Sequence, residues 1–304
     1  MSYRSDRFLR YKGQNIPSFQ YPIDDRSQEE LRDLLLEILH NKVHGFCFSM
    51  YEEGQKPGDH IPEVQVRRRL QILQRHSQWV RSFSCIEGNE NVPKVARELG
   101  MNTLVGAWLG KDKEKNQQEI DSLINLARQG LVDVAAVGNE VLYRKDLTED
   151  ELLGYIAEVK QAIPDIQVGY VDAYYEFVQR PRIAAACDVI LTNCYPFWEG
   201  TDFDASLDHM KHMFAQARAA GGGKRVIITE TGWPSKGESL GRALPTERNA
   251  LLYFINTQLW SMDENIEIFY FSSFDESWKT GAEGEVGAYW GIWDINGKLK
   301  YTGE

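Results

Sequence analysis

The chain has 304 residues, long for a single core but within the span of an α/β barrel with elaborated loops. Its 42% apolar and 26% charged residues are ordinary for a globular protein, and a net charge of −11 argues against nucleic acid or an anionic membrane as the partner. No run approaches the ~18 consecutive apolar residues of a membrane span, so no membrane segment is expected.

In chain order, Met1-Ser2-Tyr3-Arg4-Ser5-Asp6 lacks the apolar stretch of a signal peptide. Ser27-Gln28-Glu29-Glu30 has the form of a capping box and predicts a helix. Strands are expected at 43–49, 79–85, 103–109, 132–138, 166–170, 188–194, 226–230 and 267–274. Several are apolar almost throughout, as strands buried on both faces should be. Helical patterns separate them. Thr148-Glu149-Asp150-Glu151 is a second capping box, and Pro245-Thr246-Glu247-Arg248 opens a helix through Leu251, Leu252, Phe254 and Ile255. Gly221-Gly222-Gly223 is expected to end a helix on the bottom of the molecule. Asn296-Gly297, inside the stretch from Trp290 to Leu299, is a hairpin signal.

Eight strand-helix alternations favour a parallel sheet closed into a single (β/α)8 TIM barrel. The expected division is one domain over 1–304, with a barrel core at about 43–280 and an accessory hairpin at about 288–301. A doubly wound open sheet would show a Gly-rich phosphate turn after its first strand, and residues 43–48 contain no G-x-G-x-x-G. Cys47, Cys85, Cys187 and Cys194 all fall in or beside strands, with no CxxC pair or His-Cys cluster. They read as buried free thiols, a disulfide between strand neighbours being the alternative, and neither a metal nor a cofactor is expected. His44 and His60 have no ligand partner at metal spacing. A Schiff-base barrel would need a lysine within a strand, whereas Lys42 and Lys224 stand at strand entries, on the wrong rim.

Two glutamates stand out. Glu140 follows Val137-Gly138-Asn139, and Glu230 follows Ile228-Thr229, each at the exit of an apolar strand where an unused carboxylate is costly. They are 90 residues apart, about three barrel units of roughly 31 residues, which brings both to one rim. Glycoside hydrolysis needs one carboxylic acid to protonate the leaving oxygen and one carboxylate to attack or to activate water. Asn139 is placed to donate an amide hydrogen bond to a sugar hydroxyl.

Val137-Gly138-Asn139-Glu140-Val141, Asn193-Cys194-Tyr195-Pro196-Phe197, Thr229-Glu230-Thr231-Gly232-Trp233-Pro234-Ser235 and Phe274-Asp275-Glu276-Ser277-Trp278-Lys279 occur in this order on the expected strands. Together they resemble glycoside hydrolase family 17, the β-1,3-glucanase family of the (β/α)8 retaining clan, over roughly residues 43–295. The resemblance implies Glu140 as acid/base and Glu230 as nucleophile, with Glu276 and Lys279 polarising and positioning the pair. Arg81, on the second strand, is a candidate to orient Glu230, and Tyr195 to bond the nucleophile or touch the −1 sugar. Tyr51, Tyr174, Tyr175, Trp198, Trp233 and Trp278 are aromatics of presumed top loops, suited to stacking on sugar rings, while Trp290 and Trp293 read as structural.

The chain departs from the plant members of the family, which carry a Tyr-Gly segment where this one has Phe46-Cys47-Phe48-Ser49-Met50-Tyr51, and Arg-x-Tyr where it has Arg81-Ser82-Phe83. That looks closer to the bacterial branch, which includes glucanosyltransferase domains as well as laminarin-degrading hydrolases. The expected activity is therefore a retaining endo-β-1,3-glucan hydrolase. A β-1,3-glucanosyltransferase using the same residues is the alternative, and a glucan-binding barrel without catalysis is a third reading. The expected partner is a β-glucan polysaccharide or oligosaccharide, bound by a monomer. Polymers are met outside the cytoplasm, so a periplasmic or secreted enzyme with its leader absent is expected, or a cytoplasmic one if the chain is complete as written.

Overall fold

Ser27 opens helix α1 (Gln28–His40) as a capping box: its hydroxyl accepts from the Glu30 amide while the Glu30 side chain accepts from the Ser27 amide. The computed structural model describes residues 23 and 25–301, and Met1 to Asp6, read above for a leader, lie outside them. After α1 come eight strands: β1 (Val43–Cys47), β2 (Ser77–Ser82), β3 (Asn102–Ala107), β4 (Val134–Asn139), β5 (Gln167–Ala173), β6 (Val189–Asn193), β7 (Arg225–Thr231) and β8 (Ile268–Tyr270). Each pairs in parallel with the next, and Gly45 and Phe46 of β1 pair with Phe269 and Tyr270 of β8, which closes the barrel. Closure depends on Gly45, because a Cβ there would lie 2.5 Å from the Phe269 ring.

Helices α2 (Glu63–Leu73), α3 (Asn91–Glu98), α4 (Lys113–Arg128), α5 (Val141–Arg144), α6 (Glu149–Ala162), α7 (Tyr174–Gln179), α8 (Pro181–Ala186), α9 (Ser206–Ala220) and α10 (Glu247–Glu264) alternate with the strands, and a single turn, α11 (Thr280–Glu283), follows β8. The second capping box forms at Thr148 and Glu151, Thr246 caps α10, and α9 stops at Gly221. Helix α10 lies against the seam: Phe254 stacks on Phe46 at 6.2 Å and meets Tyr270 edge-on at 4.9 Å. This explains its many buried residues, since it covers the closing pair of strands.

The eighth strand is shorter than the 267–274 expected, ending at Tyr270. Beyond it the backbone turns to other partners. The Ser272 amide bonds to the Trp290 carbonyl, the Ser273 amide to Cys47, and the Ile292 and Trp293 amides return to 272–273. At the C-terminal turn Asp294 accepts from the Asn296 and Lys298 amides while Gly297 takes φ +86°, and a single antiparallel bridge joins Trp293 to Leu299. A short hairpin forms there, the Asp294 amide bonding to the Lys298 carbonyl and the Lys300 amide to that of Ile292. All four cysteines are buried free thiols, and burial pushes Cys47 up to about 12. Among the described residues no helix is long and apolar enough to cross a membrane.

Candidate active site

Irregularities in the ladder gather at the C-terminal ends of β4, β6 and β7. Register shifts fall between Ala136 and Asn139, between Thr192 and Asn193, and between Ile228 and Thr231. Such bulges re-aim side chains. At β4 the turn begins with Gly138 at φ +84°, where a Cβ would also meet Val141 Cγ2 at 2.8 Å. Glu140 then takes left-handed φ +52°, and its amide is held by the Val171 carbonyl at 2.8 Å. Few side chains adopt that conformation without compensation, so here the backbone is shaped by what it presents.

Asn193, paired in register with Glu230, joins the two carboxylates. Its Nδ2 donates to Glu140 Oε1 at 2.9 Å and to Glu230 Oε1 at 3.1 Å, and its Oδ1 accepts from the Thr229 hydroxyl at 2.9 Å. Because both bonds share one nitrogen, the two Oε1 atoms lie no further apart than the sum of those lengths, 6.0 Å. Three donors converge on Glu230: Asn193, the Tyr195 hydroxyl on Oε2 at 2.8 Å, and Arg81 Nη1 on Oε1 at 2.7 Å. One being a guanidinium, they suit an anion. The other fork of Arg81, Nη2, donates to Asn139 Oδ1 at 2.6 Å, so the amide carbonyl of Asn139 is committed to the interior.

A cleft of about 540 Å³ opens above these groups. Of the residues expected from sequence, Asn139, Glu140, Tyr195, Trp198, Glu230, Tyr51, Glu276 and Lys279 line it, as does Trp278. Lys279 stands 3.4 Å from Glu283 and 3.8 Å from Glu276, above the Phe271 ring at 4.1 Å. Burial opposes its charge, but Glu283, Glu276 and Glu230 outweigh it and hold the ammonium above its ordinary range. Burial pushes the Glu276 carboxyl up, against the pull of Lys279.

Arg81, expected to orient Glu230, is only 1% exposed and bonds Glu230 and Asn139 from behind the cleft wall. Other placements differ from expectation. Trp233 is buried against Phe197, Phe203 and Tyr253, with its Nε1 donating to the Leu244 carbonyl. The apolar surroundings drew the indole inward, which a motif alone does not disclose. Trp290, read as structural, lines the cleft beside Tyr195 and Trp198, and its buried Nε1 has no hydrogen-bond partner among the described residues. Tyr174 and Tyr175 fall outside the cleft lining, the Tyr174 hydroxyl donating to Glu199 at 3.1 Å, while Trp293 packs in the core against Phe46.

Sequence reasoning passed over Asn193, although it begins the quoted Asn-x-Tyr-Pro segment. Its place at the head of that segment was the available signal. Trp108, directly after β3, is 39% exposed on the rim with the Arg144 guanidinium 4.6 Å from its ring. Glu119 was not foreseeable: a glutamate inside a helix ordinarily faces water. This one reaches from α4 under the cleft wall, accepting from the Ser84 hydroxyl at 2.5 Å and the Cys85 amide at 2.7 Å, and burial pushes its carboxyl up to about 7. Burial likewise holds the His44 imidazole down at about 4. Among the described residues no group of three or more His, Cys, Asp or Glu stands together as a metal site.

Residues 45–291 match the BtgE/BtgC glycoside hydrolase domain. The glucan 1,3-beta-glucosidase BGL2 of Candida albicans is 27% identical over 259 residues, covering 77% of this chain and 84% of that protein. A glucan 1,3-beta-glucosidase of Arthroderma benhamiae is 28% identical, covering 80% and 85%. Among solved structures, the glycoside hydrolase family 17 beta-1,3-glucanosyltransferase of Rhizomucor miehei superposes with a TM-score of 0.77 at 27% identity, over 86% of this chain and 96% of that one. An active-site mutant of the same enzyme, TM-score 0.76, was solved in complex with laminaritriose. These relatives are fungal and lend no support to the bacterial placement expected from the first two strands.

Proposed function

The chain belongs to the BtgE/BtgC glycoside hydrolase domain family, within glycoside hydrolase family 17, and from that premise we propose a retaining β-1,3-glucan enzyme with Glu140 as acid/base and Glu230 as nucleophile. The observation that carries the reading is the shared Asn193 amide. An upper bound of 6.0 Å between the two Oε1 atoms is closer than the roughly 6.5–9.5 Å that inverting enzymes leave for a water, and compatible with the about 5–5.5 Å of retaining ones.

In the first step a Glu230 oxygen attacks C1, the C1–O glycosidic bond breaks, and Glu140 gives its proton to the departing oxygen, leaving a glycosyl ester on Glu230. Oε1 already accepts two hydrogen bonds and Oε2 only one, from Tyr195, so Oε2 is the oxygen with a lone pair to attack. In the second step Glu140, now a carboxylate, takes a proton from the acceptor as its oxygen attacks C1. The ester breaks and Glu230 is regenerated. Asn139, its carbonyl held by Arg81, directs its NH₂ to the hydroxyl beside the reacting carbon, where a hydrogen bond strengthens as the oxocarbenium character grows. We read residues 23–301 as one catalytic domain acting on a polymer outside the cell.

Water as the acceptor makes the enzyme an endo-hydrolase. The second reading, transfer to a sugar hydroxyl, is favoured by the similarity to the Rhizomucor miehei glucanosyltransferase. Incubation with laminari-oligosaccharides followed by mass spectrometry separates the two: only shorter products mean hydrolysis, and products longer than the substrate mean transfer. Proton NMR of the first product tests the mechanism, since an α-configured product would overturn the retaining assignment.

A further inference from the structure

Glu140 occupies an unfavourable backbone region at φ +52°, immediately before the one-turn helix α5, whose first N–H groups have no partner within so short a helix. Strand β5 supplies those partners. The Glu140 amide bonds to the Val171 carbonyl at 2.8 Å, the Leu142 amide to the Tyr170 hydroxyl at 2.9 Å, and the Tyr143 amide reaches Asp172 Oδ2 at a longer 3.4 Å. The Tyr170 hydroxyl in turn donates to Asp172 Oδ2, and Asp172 Oδ1 accepts from the Ala173 amide at 2.8 Å. Asp172 is completely buried and lines no part of the cleft. A buried carboxyl needs a reason to be there, and this one is tied to the turn that carries Glu140 directly through the Tyr143 amide and through the Tyr170 hydroxyl that holds the Leu142 amide.

We propose that Asp172, acting with Tyr170, is a positioning residue for Glu140: through the Tyr143 amide and the Tyr170 hydroxyl it holds the left-handed turn that aims Glu140 at the leaving oxygen. The proposal rests on Glu140 being the acid/base. Burial first and then the charge of Glu140 push the Asp172 carboxyl well above its ordinary range, so it acts on the turn as a buried hydrogen-bonding group. The groups facing Asp172 are Glu140 from the β4 exit, Tyr170 on its own strand, and Glu176 of α7, which is paired to Arg180 at 2.7 Å. Those facing Glu140 from the other side are Asn193, Glu230 and Tyr195, with Arg144 anchored on the Asn139 carbonyl beneath the turn.

The test compares two leaving groups. A laminari-oligosaccharide needs acid assistance, and a dinitrophenyl β-laminarioside, whose phenolate leaves unaided, does not. For Asp172→Asn, in which an NH₂ replaces one of two accepting oxygens, we expect kcat/KM on the oligosaccharide to fall about tenfold or more at neutral pH. On the aryl substrate the loss should stay within about threefold. Equal losses on both substrates in a folded variant would overturn the proposal. Should Asp172→Asn fail to fold, Tyr170→Phe carries the same comparison: a larger loss on the oligosaccharide supports the pair, and equal losses overturn it. Glu140→Ala, run in parallel, separates the two levels. If it shows no leaving-group dependence, the reading of Glu140 as the acid fails. If it does and the β5 variants do not, only the positioning role fails.

Discussion

Replacing Arg81 with methionine keeps most of the side-chain volume and removes only the charge and the fork. The guanidinium is 1% exposed, and it holds Glu230 at 2.7 Å, the Thr229 carbonyl at 3.0 Å and Asn139 at 2.6 Å. Its loss leaves a buried carboxylate whose cationic partner is gone, and breaking such a pair from one side costs about 3–5 kcal/mol. A chain of 304 residues unfolds with an entropy of roughly 0.6 kcal/mol/K, so the melting temperature should fall by about 5–8 °C. Activity should fall further than stability, because one of three donors on the nucleophile and the anchor of Asn139 disappear together. Loss of one preorganised donor is worth about 10²–10³ in rate. Thermal melts of Arg81→Met, Glu230→Gln and the double variant, with kcat/KM on laminari-oligosaccharides, make the measurement. In the double variant neither charge is stranded, so its melting temperature should lie at or above that of the worse single variant. Simple addition of the two losses, or a fall below about 1 kcal/mol for Arg81→Met, would refute the view that the pair is one energetic unit.

Glu230→Ala should lose several orders of magnitude in kcat and be partly rescued by azide on an activated substrate, giving an α-glycosyl azide; near-normal turnover would end the nucleophile assignment. Glu119→Gln tests the buried helix carboxyl. The folded chain keeps a proton there up to about 7 while the unfolded chain releases it near its ordinary 4.5, so stability falls as pH rises through that window, by up to roughly 3 kcal/mol. Urea titrations between those limits should show a flatter slope in the variant, and an unchanged slope would contradict the burial argument. Trp233→Ala should cost about 3–5 kcal/mol in the core. Trp278→Ala, 37% exposed in the cleft wall, should leave the melting temperature within about 1 °C and raise KM for longer oligosaccharides several-fold. The reverse pattern would show that the two indoles have been assigned to the wrong environments.

What was legible in the sequence was whatever local physics controls. Both capping boxes formed at Ser27 and Thr148, since a hydroxyl and a glutamate three residues apart satisfy each other without help from the rest of the fold. The eight strands were legible because burial on both faces demands continuous apolar runs, and the spacing of Glu140 and Glu230 placed both at one rim. Strand ends were less legible. After Tyr270 the Phe271 amide still reaches Thr231, but the Ser272 and Asp275 amides are taken by the Trp290 and Trp293 carbonyls, and no residue near 271 announces a partner twenty positions away.

The sequence by itself therefore determined the barrel, its family and the pair of carboxylates. Only the tertiary structure decided how they are held. Arg81 lies behind Glu230, Trp233 turns into the core, Trp290 turns into the cleft, and Asn193 and Asp172 take up the two ends of the carboxylate network. The reason is the same each time. A side chain on a strand points by register and bulge, and both depend on neighbouring strands that are distant in sequence. An ion pair such as Arg81 with Glu230, 149 residues apart, exists only once the sheet has closed.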